Sequence, residues 1–253
     1  MRQWVLWTLC LVGASGITSA ASVQIQPSRC ADCHFSRPDA PGARHLSDWD
    51  QSAHGRNAVG CETCHGGNPH TLELFEAHWG ILGSTNPASP VARMNLPATC
   101  GKCHAGPFAA FQKSRHYELL RGGGREAPTC VTCHDEVAAS LLSPKHLEAQ
   151  CAGCHGAGKV APNTDFPPEG RLMLEGIRDA RALLKEARSF IRRVSDTQRR
   201  GRLEADAAHA EVPLREATDA GHAFVFDRLQ ERLALAERRI AALYEQLAIR
   251  DSR

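Results

Sequence analysis

The chain has 253 residues, 42% of them hydrophobic but only 6% aromatic, and carries a formal net charge of +2. That length suits one or two domains, and nothing in the charge pattern forms the basic footprint of a nucleic-acid binder. Eleven cysteines are many for this size, so the thiols need a chemical explanation before the rest of the chain is read.

Residues 1–20 read as an export signal. Arg2 gives a short positive start, Trp4 to Ile17 is an apolar run, and Thr18-Ser19-Ala20 resembles a small-residue cleavage site, with cleavage expected after Ala20. The alternative is an uncleaved anchor, for which the run falls short of the usual spanning length. Cys10 lacks the small residues that precede a lipid-modified cysteine, so no lipoprotein is expected. The expected address is a bacterial periplasm.

The other ten cysteines all fall in one repeated pattern, two thiols three apart with a histidine directly behind the second. The copies are Cys30/Cys33/His34, Cys61/Cys64/His65, Cys100/Cys103/His104, Cys130/Cys133/His134 and Cys151/Cys154/His155. Zinc ribbons assemble two such pairs per metal, which leaves a fifth pair without a partner and gives the histidines no job. Local disulfides also leave the histidines unexplained. A thioredoxin-like pair needs a strand and a helix around one motif, which these Gly- and Pro-flanked copies do not offer. The spacing matches covalent c-type haem attachment, in which both thiols reach one porphyrin and the histidine lies beneath its iron. Five covalently bound haem c groups are therefore expected, with His34, His65, His104, His134 and His155 as proximal ligands.

Residues 21–165 then form a pentahaem domain. The stretch has many Gly and Pro breaks and only short apolar runs such as Leu72 to Phe75, too little for an ordinary core, so the cofactors must supply it. The fold class is mainly α, with short helices at the motifs and long loops. Each ferric haem adds a charge of about minus one, and each ferrous haem about minus two, with the propionates included, so the loaded protein should be acidic.

An open sixth position on an iron can bind substrate, whereas an occupied one makes a carrier. Methionine is scarce, so imidazole is the expected second ligand. In Ser52-Ala53-His54, Ser114-Arg115-His116 and Ser143-Pro144-Lys145-His146 a serine shortly precedes a histidine that precedes a motif, and these three histidines are candidate distal ligands. His45 and His78 complete the set. His70, which follows a motif, and His222 are held in reserve; His209 reads as surface.

After Pro167-Pro168 the pattern changes to long apolar stripes. One runs from Met173 through Ile177, Ala180, Leu184, Ala187 and Ile191 to Val194, with Gly201 expected to end that helix. A second passes through Leu203, Ala207, Ala210, Leu214 and Ala217, with Pro213 able to kink it. A third passes through Phe226, Leu229, Leu233, Ala236, Ile240, Leu243 and Leu247. Residues 166–253 are thus expected to form an antiparallel helical hairpin or three-helix bundle, with any surplus seam open to pairing protomers. His222 falls on the third stripe when it is extended backward. It is either a satisfied histidine within the bundle or an approach to an iron.

WDQSAHGRNAVGCETCHGG, SPVARMNLPATCGKCHAG, FQKSRHYELL and CVTCHDE resemble the multihaem cytochromes c related to the tetrahaem electron acceptor of hydroxylamine oxidation, octahaem hydroxylamine oxidoreductase and cytochrome c nitrite reductase. The resemblance covers residues 30–155. It implies closely packed, mostly bis-histidine haems that pass electrons between periplasmic partners, with distal histidines that often serve a haem other than the nearest in sequence. Two features depart from the enzymes of that lineage. All five motifs end in histidine, where the nitrite reductases bind their catalytic haem through a motif ending in lysine. The only tyrosines, Tyr117 and Tyr244, lack the context of the haem-attached tyrosine of hydroxylamine oxidoreductase. The expected function is electron transfer, with redox proteins of the periplasm or a membrane quinol-oxidising complex as partners. The rival readings are an oxidoreductase that reduces a small nitrogen or sulfur oxyanion at one five-coordinate haem, and a subunit that assembles through its C-terminal helices.

Overall fold

A computed structural model describes residues 28–37, 39–40, 42–135 and 143–248. Residues 1–20, read from the sequence as an export signal, and Cys10 with them lie outside the described residues. The protein is mainly helical and has no strand among the described residues, only an isolated bridge between His155 and Ala161.

Ten short helices come first: α1 (Arg29–Ser36), α2 (Ala43–Gln51), α3 (Ala53–Arg56), α4 (Glu62–His65), α5 (Leu74–Ala77), α6 (Leu96–Gly101), α7 (Ala105–Phe111), α8 (Arg115–Arg121), α9 (Cys130–His134) and α10 (Pro144–Cys154). Their starts have local causes. Ser52, Ser114 and Ser143 each accept a hydrogen bond at 3.1 Å from a backbone N–H in the first turn of α3, α8 and α10 respectively. Such caps satisfy donors that a helix start would otherwise leave orphaned. Ser52 and Ser114 are almost wholly buried. Thr129 and Thr132 close a reciprocal capping box at the start of α9.

The protein core of this region is small. Phe111, Leu120 and Ala127 are buried together, with Tyr117 and Phe224 packed against them. So few apolar groups cannot hold a region of this length by burial alone.

Three long helices follow, α11 (Phe166–Ile191), α12 (Thr197–His222) and α13 (Phe226–Ala248). Each touches the other two, and together they make a three-helix bundle. Its core takes all three apolar stripes: Ile177, Leu184 and Ile191 from α11, Leu203 and Leu214 from α12, and Leu229, Ile240 and Leu243 from α13. Alanines fill the positions between them, with Ala187, Ala210, Ala217 and Ala236 fully buried, so the axes can approach closely. The break between the first two helices differs from expectation. Gly201 lies inside α12, and α11 has already ended at Ile191. Asp196 sets the new start by accepting from the Arg199 backbone N–H at 2.7 Å, a stronger local signal than a tolerated glycine. Pro213 lies buried within α12.

The bundle packs on the short-helix region, with α11 against α10 and α12 against α7. Glu148 of α10 pairs with Arg171 of α11 at 2.9 Å. The turn between α12 and α13 inserts Phe224 beside Phe111, with ring centres 6.5 Å apart.

Candidate haem sites

Within the motifs the backbone winds the same way. The N–H of the motif histidine donates to the carbonyl of the first cysteine at 2.9 Å in His65 and His104 and at 2.8 Å in His155. That single turn sets both thiols and the imidazole on neighbouring positions. In the first motif the Ser36 hydroxyl extends the winding by donating to the Cys33 carbonyl at 2.8 Å. In the third, the Cys103 N–H donates to the Cys100 carbonyl at 3.2 Å.

All ten described cysteines are free thiols. Their covering is uneven. Cys103 and Cys64 are exposed, and Cys33, like the remaining seven, is only half-buried. Open thiols of this kind are sterically accessible to a porphyrin edge.

Every motif histidine faces one further imidazole. Ring centres lie 6.1 Å apart in His34–His78, 5.9 Å in His65–His45, 6.1 Å in His104–His54, 6.3 Å in His134–His222 and 6.0 Å in His155–His116. A metal–imidazole bond is about 2.0–2.1 Å long. A five-membered ring with bonds of about 1.33 Å has its centre roughly 1.1 Å from each atom. Two imidazoles on opposite faces of one metal therefore have centres about 6.3 Å apart. Each gap fits one metal atom, and each pair stands beside its own two thiols. These residues fit one c-type haem per motif. They do not fit zinc, because no group of three histidine, cysteine or acidic side chains gathers around a point among the described residues.

The two rings are turned differently in the five pairs. His134 and His222 are nearly parallel, at 13°, and the others range from 41° to 88°. Two rings are held by their own helices. His78 Nδ1 lies 2.8 Å from the Leu74 carbonyl and His222 Nδ1 lies 2.9 Å from the Thr218 carbonyl. A carbonyl can only accept, so Nδ1 must carry the proton, which leaves Nε2 with its lone pair free for a metal.

Electrostatics favour the neutral form of three of these histidines. Burial lowers the pKa of His65, His116 and His134, and the facing imidazole lowers it further in each. Neutral imidazole is the form that binds metal. Burial pushes the Cys61 and Cys133 thiols up to about 11, with Cys30 and Cys151 respectively adding to the effect. Burial and then Cys100 raise Cys64. A hydrogen bond between Cys100 and Cys130 raises the first and lowers the second. The thiols of each motif therefore perturb those of the next, and the five motifs stand in space in their order along the chain.

The structure sorts the histidines that sequence could only collect. His45, His54, His78 and His116 each face a motif histidine. The serine-led pair skip the motif that follows them: His54 passes over the second to the third, and His116 passes over the fourth to the fifth. His78 turns back to the first, and His45 faces the second. His146 sits 3.1 Å from Gln150 and 3.8 Å from Asp135 instead, while His222, from the far end of α12, faces the fourth motif. The offset from the capping serine distinguishes these cases. His54 and His116 are the second residue of their helices, whereas His146 is the third, which turns its side chain by about 100°. His70 is exposed.

Comparison with known proteins agrees with this geometry. Residues 88–156 match the family model "Cytochrome c7 and related cytochrome c", and residues 13–66 match "Cytochrome c554 and c-prime". The chain is 26% identical over 165 residues to the C-type polyheme cytochrome OmcC of Geobacter sulfurreducens, covering 62% of this chain and 19% of that protein. It is 30% identical over 139 residues to the C-type polyheme cytochrome OmcB of the same species, covering 51% of this chain and 16% of that protein. The chain is thus similar to multihaem c-type cytochromes. It spans less than a fifth of the length of the curated relatives it matches. No solved structure matches it significantly. No described helix is long and apolar enough to cross a membrane.

Proposed function

We propose that this chain is a periplasmic relay carrying five haem c groups, each held by two thioethers and two imidazoles. The supporting observation is that all five motif histidines have a facing ring at the spacing of one shared metal. In this reading the distal ligands are His78, His45, His54, His222 and His116 for the first to fifth motifs, and His222 takes the place expected of His146. Bound haem would supply a one-electron couple. Helix carbonyls fix the rings of His78 and His222, burial favours the neutral form of His65, His116 and His134, and the paired imidazoles would hold each haem from two sides, so little would need to move on reduction. The order of the motifs makes the first and fifth the ends of the route, where redox proteins or a membrane quinol-oxidising complex would exchange electrons through small, transient interfaces. The apolar run at residues 4–17 supports export, and the quoted motif stretches support kinship with the hydroxylamine oxidoreductase lineage. A five-coordinate catalytic haem has no motif left over to host it.

Low-temperature electron paramagnetic resonance of the oxidised protein tests this directly. Five low-spin ferric centres, together with no carbon monoxide uptake by the reduced protein, are expected. One high-spin centre that binds carbon monoxide stoichiometrically would replace the relay with a reductase.

A further inference from the structure

The turn between α12 and α13 contains an anomaly that ligation by His222 leaves unexplained. A helix that ends in a left-handed residue normally places glycine there, because any other side chain crowds the backbone. Here the residue is Phe224, with φ of 56°, and a bulky residue at positive φ is a genuine outlier. The backbone around it is well tied. The Phe224 N–H donates to the Gly221 carbonyl and the Val225 N–H to the Ala220 carbonyl, both at 3.0 Å. Glycine could make the same bonds at less steric cost, so the turn by itself does not call for a ring.

The ring has a specific neighbour. Its centre lies 4.3 Å from that of His116, and the two planes meet at 88°, the edge-to-face arrangement aromatic groups prefer. Phe111, 6.5 Å from Phe224 and 5.6 Å from Tyr117, backs the contact. His116 in turn faces His155 at 6.0 Å with planes 71° apart. Strain kept at a position that the surroundings over-determine points to a role there.

We infer that Phe224 is a positioning residue for His116: it fixes the plane of that imidazole against the fifth motif and, being two residues after His222, ties the fourth and fifth haem sites to one turn of the bundle. The inference rests on axial ligation by the paired histidines. Because Phe224 acts on the ring of His116, its effect on the fifth site passes through the orientation of that imidazole. In a ferric haem the mutual angle of the two imidazoles sets the splitting of the iron d orbitals, and so the g values and the potential.

The test compares Phe224→Gly, Phe224→Ala and Phe224→Tyr with wild type, and uses His116→Ala to identify the spectral component of the fifth site. All are checked by mass for the same number of attached haems. Phe224→Gly relieves the backbone and removes only the ring. The expected result is that the component lost in His116→Ala shifts its g values in both Phe224→Gly and Phe224→Ala, with a matching shift of one midpoint potential, and returns to its wild-type position in Phe224→Tyr. A wild-type spectrum for Phe224→Gly would overturn the inference, since the turn alone would then suffice. Wild-type protein with a high-spin iron would instead overturn the bis-histidine reading and this inference with it.

Discussion

At the residue scale, the position of a histidine relative to its helix cap decides what it can reach. A serine cap followed by histidine at the second helical residue, as in α3 and α8, turns the ring toward a motif; one residue further on, as in α10, the ring meets Gln150 and Asp135. His222→Ala should therefore give one high-spin ferric iron and one carbon monoxide site in the reduced protein, and His146→Ala should give neither, both read by paramagnetic resonance and gas titration. His222→Ala should also remove the most rhombic low-spin signal, because the 13° pair is the only one whose ring planes are nearly parallel among the described pairs. The five motifs were visible in the sequence because each is contained in five consecutive residues. Which ring faces which motif was not legible, since His222 and His134 meet only after two helices have folded between them. Nor was the uneven covering of the thiols, with Cys103 open and Cys133 more enclosed, because covering depends on neighbours distant in the chain.

At the element scale, the two regions are stabilised by different means. The bundle has an ordinary apolar core, so Leu243→Ala, at a position 1% exposed, should cost about 2–5 kcal/mol, measured as a lowered denaturant midpoint of helical circular dichroism. The three stripes were readable because a period of 3.6 is a property of local sequence. The helix break was misplaced because an Asp196 cap outweighs a glycine. Tyr244 adds a pH-dependent tie across the bundle. Its hydroxyl lies 2.9 Å from the Glu186 carboxylate and 3.0 Å from the Leu183 carbonyl, and burial together with Glu186 pushes its pKa up to about 12. A raised value favours the protonated form in the fold. Its contribution is thus full below the ordinary tyrosine pKa of about 10 and is lost as pH rises through about 12. Tyr244→Phe should remove that segment from a curve of stability against alkaline pH.

At the scale of the whole molecule, the bare chain and the loaded protein are different electrostatic objects. The sequence has a pI of about 8.1, while each haem adds about one negative charge when ferric and about two when ferrous. The holoprotein should focus well below neutral pH and move further toward acid on reduction, as isoelectric focusing under dithionite would show. A loaded protein that focuses near the value of the bare chain would mean that few of the motifs carry cofactor. The electrostatic influence of each motif's thiols on the next, from Cys30 on Cys61 to Cys151 on Cys133, also gives the sites the same order in space as in the chain. Composition could not reveal that, because it depends on how loops of unequal length fold back.

Under the proposed ligation, the crossed histidine pairs would also impose a timetable on maturation. As the polypeptide emerges residue by residue, His45, His54 and His116 precede the second, third and fifth motifs in the chain, so both imidazoles of those sites would be at hand as soon as the motif appeared. The first site would wait for His78. The fourth would lack its second imidazole until the last turn of α12 had been made, so completion of the C-terminal helices would be the step that closes the last site.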